Sequence, residues 1–202
     1  MARDQPHLDV WFDFASTYSY PAIARVESLA IAAGVALRWR PFLLGPIFVK
    51  QGWDNSPFNL YPAKGRYMWR DIERLCAAAD LPFRRPSSFP RMSILASRVA
   101  IVSGDRPWCG AFIRAVFIAN FAEDRDIASP AVISAILTEL GQDPAALIEA
   151  AQMPEAKARL REETAEAETL GIFGAPSFVT AGELFWGNDR LEQALAWARS
   201  RA

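Results

Sequence analysis

The sequence predicts an α/β fold in which a strand–helix–strand unit and a closing strand–strand–helix unit share one core around a large inserted block of helices. Three observations predict it. Residues 8–14 alternate in β-forming side chains and are followed by helical spacing and a second alternating run. Residues 60–170 are helical in spacing almost throughout, and alternation returns after Gly171 with a turn at Ala181-Gly182. With 202 residues, 51% of them apolar or aromatic, the chain buries a sizeable core without disulfide or metal staples.

In chain order, "LDVWFDF" (8–14) reads as a strand and "SYPAIARVESLAIAAG" (19–34) as a helix closed by Gly34. Pro21 falls about one turn inside that helix if it starts near Ser16 or Ser19, where a missing N–H matters least. "VALRWRPF" (35–42) alternates again and ends at Pro41, so the first three elements form a βαβ unit with parallel strands. Residues 42–60, rich in Gly, Pro, Asn and Trp, read as a long structured loop of the kind that is usually functional. Helical segments follow at 63–81, 91–104, 107–123, 129–141 and 154–171, punctuated by Ser129, Gly141, Pro154 and Gly171. At the end, "PSFVT", the turn "AG" and "ELFW" make a β-hairpin, and Leu191, Ala194, Leu195 and Ala198 share one face of a last helix. Neither end has enough apolar layering to stand alone, so both belong to one sheet. The order is that of a thioredoxin-like core, residues 1–45 with 171–202, carrying an inserted helical domain over 46–170.

Composition excludes several classes of function. The net charge is −1 with dispersed basic residues, which argues against a nucleic-acid partner. No apolar run approaches a membrane span, and the start "MARDQPHLDV" lacks the apolar segment of a secretory signal, so a cytoplasmic protein is expected. Cys76 and Cys109 form no C-x-x-C pair and read as buried thiols. His7 is the single imidazole, which excludes a His-based triad unless it serves itself, and excludes multi-His zinc sites. Walker, G-x-S-x-G and G-x-G-x-x-G patterns are absent. Ser16, after the first strand, is by default a helix N-cap.

Three stretches carry a resemblance: "FDFASTYSY" (12–20), "FNLYPAKGRYMWRDIERLC" (58–76) and "GIFGAPSFVTAGELFWGNDRL" (171–191). In that order, over nearly the whole chain, they resemble the 2-hydroxychromene-2-carboxylate isomerase family, glutathione-dependent relatives of the kappa-class glutathione transferases and the DsbA-type oxidoreductases. The resemblance implies glutathione as cofactor, a small aromatic carboxylate as substrate and a homodimer. Where redox relatives carry C-x-x-C, this chain reads Ser16-Thr17-Tyr18-Ser19, so the locus cannot cycle a disulfide. A hydroxyl and a helix N-terminus remain, both suited to an anion such as a glutathione thiolate.

Family positions assign the other roles. Pro176 resembles the cis-proline facing the active-site turn, leaving the backbone of Ala175 to pair with the cysteinyl segment. Trp186, Gly187, Asn188 and Asp189 fall where the family holds the γ-glutamyl end, although Asn188 or Asp189 also suits a helix cap. Asn59 matches a polar contact to the glutathione backbone. Lys64 is a candidate for a carboxylate, and Tyr18 or Lys64 for the substrate's developing charge. Thr17, Pro21 and Met92 depart from the family pattern around the key turn. The resemblance leaves two further readings beside the isomerase: a kappa-class-like transferase or peroxidase, and a non-catalytic glutathione- or peptide-binding protein.

Overall fold

Strand β1 (His7–Phe12) divides its side chains between two cores. Leu8, Val10 and Phe12 enter the larger apolar cluster, while Trp11, on the opposite face, enters a smaller one with Phe42, Ile47, Ala167, Ile172 and Ala175. The computed structural model describes residues 5–201. Around β1 the sheet has the order β2-β1-β3-β4. β2 (Ala36–Pro41) pairs in parallel with β1, with Val10 opposite Trp39. β3 (Ser177–Thr180) pairs antiparallel on the other side, with Val10 opposite Phe178, and β4 (Glu183–Trp186) completes the hairpin at the edge. The two ends of the chain thus share one sheet, in the thioredoxin-like order expected. Ala181 and Gly182 both take positive φ, 47° and 78°, which matches the twist of the paired strands and favours glycine in the turn.

The crossover between β1 and β2 is α1 (Ser19–Ala33), closed by Gly34. Pro21 is its third residue, inside the first turn, where no intrahelical bond needs its N–H. The inserted helices are α2 (Leu44–Lys50), α3 (Pro57–Leu60), α4 (Pro62–Ala78), α5 (Ile94–Ser103), α6 (Cys109–Phe121), α7 (Pro130–Glu139), α8 (Pro144–Gln152) and α9 (Pro154–Thr169). A short 3-10 turn, Asn188–Arg190, leads into α10 (Leu191–Ser200), which buries Leu191, Ala194, Leu195 and Ala198 as its spacing predicts. No helix of the described residues is long and apolar enough to cross a membrane.

Two stretches differ from expectation. The segment read as one long loop contains α2 and α3, the latter opened by Ser56, whose hydroxyl accepts from the Phe58 N–H, and by Pro57 at its first position. α8 is a helix that the periodicity does not single out. Asp143 caps it through the N–H groups of Ala145 and Ala146, and it buries only Leu147 and Ala151.

Sheet and helices share the larger cluster, and its aromatic centre lies behind the end of β1. Phe14 sits 5.2 Å from Phe12 and 5.1 Å from Phe117 of α6, and Phe117 stacks on Phe121 at 6.3 Å. Burying such rings contributes roughly 1.5–3 kcal/mol each. The backbone after β1 is therefore held rigidly from behind by the inserted helices.

Candidate functional site

The segment after β1 is tied down at every residue. Asp13 is 4% exposed, and its carboxylate accepts from the Ala15 N–H at 2.9 Å, the Leu44 N–H at 2.9 Å and the Ser93 hydroxyl at 2.7 Å. One side chain thus joins the turn, the start of α2 and the approach to α5. Burial raises the Asp13 carboxyl above its ordinary range, and these hydrogen bonds partly oppose the rise. The Asn120 amide donates to the Phe14 carbonyl at 2.9 Å, so α6 holds the same turn. The Thr17 hydroxyl, almost fully buried, points to the Met68 sulfur at 2.9 Å, and the Tyr18 hydroxyl donates to Asp71 at 3.0 Å. Both anchor the turn to α4. Burial first, then the Asp71 charge, pushes the Tyr18 phenol well up, so it stays protonated.

Ser16 is the residue of this turn that reaches the other end of the chain. Its Oγ donates to the Ala175 carbonyl at 2.8 Å and accepts from the Ser19 N–H at 3.2 Å. Ser16 therefore satisfies an orphan N–H of the first helical turn, as a cap would, although the cap position itself is Tyr18. The Ala175–Pro176 peptide is cis, in agreement with the resemblance, and the Pro176 carbonyl accepts from the Gly187 N–H at 2.9 Å. The hairpin thereby sets the Gly187–Asp189 corner beside Ala175.

These groups open onto a cleft of about 1230 Å³. Among the predicted residues, Ser16, Tyr18, Lys64, Ala175, Trp186, Gly187, Asn188 and Asp189 line it. Pro176 is not part of the lining. Nor is Asn59, whose amide donates to Asn55 Oδ1 at 3.0 Å and to the Phe89 carbonyl at 3.1 Å, while Asn55 and Phe89 themselves face the cleft. The apolar part of the lining includes Phe48 and Trp53, 5.6 Å apart, and Phe58, 6.2 Å from the Tyr18 ring, and the exposed Met92 also lines the cleft. Lys64 holds its ammonium 4.8 Å from the Tyr61 ring, a cation–π contact at the start of α4.

Trp186, also in the lining, packs 4.8 Å from Phe173 and crosses directly over Gly174, where a Cβ would overlap the indole nitrogen. Asn188, 8% exposed, takes hydrogen bonds from Arg25 of α1 on both its backbone and its side-chain oxygen, at 2.8 and 3.1 Å.

Three lining or supporting residues escaped the sequence reading: Asp13, Arg91 and Arg25. Asp13 had a visible signal, an acid at a buried register of an apolar strand. Arg91 lines the cleft, yet it is 7% exposed and its guanidinium is spent on Asn120, Asp124, Arg125 and Ser87, so its charge serves the wall. No cysteine lines the cleft. Cys76 and Cys109 are buried in α4 and α6, and burial pushes their thiols up to about 11 and about 12. His7 opens β1, and its carbonyl accepts from the Thr180 hydroxyl at 2.7 Å, away from the cleft.

The arrangement has recognised relatives. Residues 7–196 match the DSBA-like thioredoxin domain family. The 2-hydroxychromene-2-carboxylate isomerase of Pseudomonas putida is 30% identical over 190 residues, covering 91% of this chain and 90% of that protein. Glutathione S-transferase kappa 1 of Homo sapiens is 26% identical over 199 residues, covering 92% of this chain and 87% of its own. A solved structure of a 2-hydroxychromene-2-carboxylate isomerase superposes with a TM-score of 0.86 at 26% identity, covering 96% of this chain and 95% of that one. Sequence and fold together make this chain a member of the DSBA-like thioredoxin domain family, similar over nearly its whole length to the 2-hydroxychromene-2-carboxylate isomerases.

Proposed function

We propose that the protein is a glutathione-dependent isomerase that interconverts 2-hydroxychromene-2-carboxylate, or a polycyclic analogue, and trans-o-hydroxybenzylidenepyruvate. The pairing of Ser16 with Ala175 carries the reading, because these are one donor and one acceptor of the kind a cysteinyl segment requires. When bound, glutathione supplies a thiolate that adds reversibly to the conjugated alkene of the substrate, so that the former double bond rotates as a single bond.

The chain's own task is to hold that sulfur ionised. With glutathione bound, the Ala175 carbonyl would accept from the ligand's peptide N–H in place of Ser16, and the Ser16 hydroxyl would then be free to donate to the sulfur. The exchange is favourable: a neutral hydrogen bond contributes about 0.5–1.5 kcal/mol and one to a charged acceptor about 1.5–3. An ordinary thiol ionises near ~8.5, and making it tenfold more acidic requires about 1.4 kcal/mol. The Ser16 hydroxyl, with roughly 0.3–1 kcal/mol from the α1 N-terminus, supplies enough to make the sulfur about 10–100-fold more acidic.

Asn188, Asp189 and the backbone at Gly187, beside Trp186, suit the charged γ-glutamyl end. Of the two substrate candidates, Tyr18 has its proton committed to Asp71, which leaves Lys64 as the partner for a substrate carboxylate. The apolar wall of Phe48, Trp53 and Phe58 suits a flat aromatic body. Asn59 contributes through Asn55 and Phe89, which it orients.

The test is product analysis with substoichiometric glutathione. Isomer formed in excess over glutathione, with the glutathione recovered, supports the isomerase. The kappa transferase relative makes the alternative concrete: one glutathione consumed into an adduct per turnover would replace this reading with a transferase.

A further inference from the structure

Arg25 lies on α1, on neither of the segments that form the catalytic turn or the Gly187–Asp189 corner. Its Nη2 donates both to the carbonyl oxygen of Asn188, at 2.8 Å, and to Asn188 Oδ1, at 3.1 Å, while its Nη1 pairs with Glu192 in the first turn of α10. A guanidinium has only donors, so the side-chain atom it meets must be the amide oxygen. That fixes the flip of Asn188. Both of its oxygens are then occupied by Arg25, and its NH2 is the group left for a ligand in the cleft that Asn188 lines.

We propose that Arg25 is a positioning residue that locks Asn188 as a hydrogen-bond donor and thereby selects thiol ligands carrying a carboxylate at this end of the cleft. The inference rests on the glutathione reading above and adds the source of its selectivity. Without Arg25 the amide is free to turn its oxygen toward the ligand, where it repels a carboxylate. Losing one hydrogen bond to a charged group corresponds to about a tenfold or larger loss of affinity.

The experiment measures binding of glutathione and of cysteinylglycine, which keeps the thiol but lacks the γ-glutamyl group, to the unaltered protein, Arg25→Met and Arg25→Lys. Circular dichroism checks the fold of each variant. The expected result is about a tenfold loss for glutathione in Arg25→Met, with cysteinylglycine changed by less than about twofold. Arg25→Lys, which keeps a donor-only group of similar reach, recovers part of the loss and carries the comparison if the Met variant does not fold. Turnover at saturating glutathione stays within about twofold in both, so the effect appears in KM and not in kcat. Equal weakening of both thiols, as a merely structural role requires, overturns the proposal, as does glutathione binding indifferent to both substitutions. Absence of glutathione binding by the unaltered protein overturns the glutathione reading and this inference with it.

Discussion

Ser16 and Ala175 are separated by 159 positions in the chain, yet the hydroxyl of one donates to the carbonyl of the other at 2.8 Å. The contact joins the turn after β1 to the residue before cis-Pro176, two positions ahead of β3, and it pairs the two groups that the proposed ligand must separate. Replacing Ser16 by Ala removes the donor and leaves the carbonyl free. The expected outcome is a fall of about 10–100-fold in kcat/KM, mostly in kcat, since about 1.5–3 kcal/mol of sulfur stabilisation is lost. Steady-state kinetics with glutathione held saturating checks it.

Asp13 supports that turn without reaching the ligand. Asp13→Ala leaves the N–H groups of Ala15 and Leu44 and the Ser93 hydroxyl without their acceptor, and unsatisfied buried groups cost about 1–3 kcal/mol each. Partial relaxation around the site brings the expected loss to roughly 3 kcal/mol, read from the urea midpoint at unchanged m-value.

Asp124 holds the wall of the cleft from outside, through the Ser87 N–H at 2.8 Å and the Arg91 guanidinium. These hold its carboxyl down at about 2, below its ordinary 3.8. Because the folded value lies below the unfolded one, the contribution is present above about 4 and is lost as pH falls toward about 2. Asp124→Asn is therefore expected to flatten the acid limb of the stability curve between those limits. Thermal unfolding of both proteins across that range is the measurement, and an unchanged limb would show that Asp124 does not contribute to acid stability.

The thiols of Cys76 and Cys109, raised by burial to about 11 and about 12, stay protonated at neutral pH. Both are expected to resist alkylation in the native protein and to react fully in denaturant, as mass spectrometry would count. A Cys76→Ala, Cys109→Ala double variant is expected to keep its isomerase activity, since neither sulfur lines the cleft.

Much of this architecture was legible in the sequence where a local signal exists. Alternation marked β1, β2 and the hairpin, and Gly34 and Gly182 sit where the backbone needs positive φ. The helices that escaped, α2, α3 and α8, are short, and α8 buries too few side chains to impose a period. Around the site, the resemblance pointed to Ser16, Ala175 and the 186–189 corner, which the fold gathers on one cleft. Arg25 and Arg91 were illegible because their meaning lies in partners far along the chain, such as Asn188 for Arg25, and Asp13, though marked by its place in an apolar strand, meets Leu44 and Ser93 only in the fold. The direction of the Asn59 amide is likewise set by Asn55 and Phe89, one of them 30 residues away, which spacing alone does not encode.

Ser16 is expected to lower the pKa of a bound glutathione thiol. Ultraviolet titration of thiolate absorbance, with glutathione bound to the unaltered protein and to Ser16→Ala, measures it directly. The expected midpoint is about 6.5–7.5 in the unaltered protein, below the ordinary ~8.5, with a return toward that ordinary value in the variant. A bound thiol that titrates normally, or one whose lowered value survives the loss of Ser16, would contradict it.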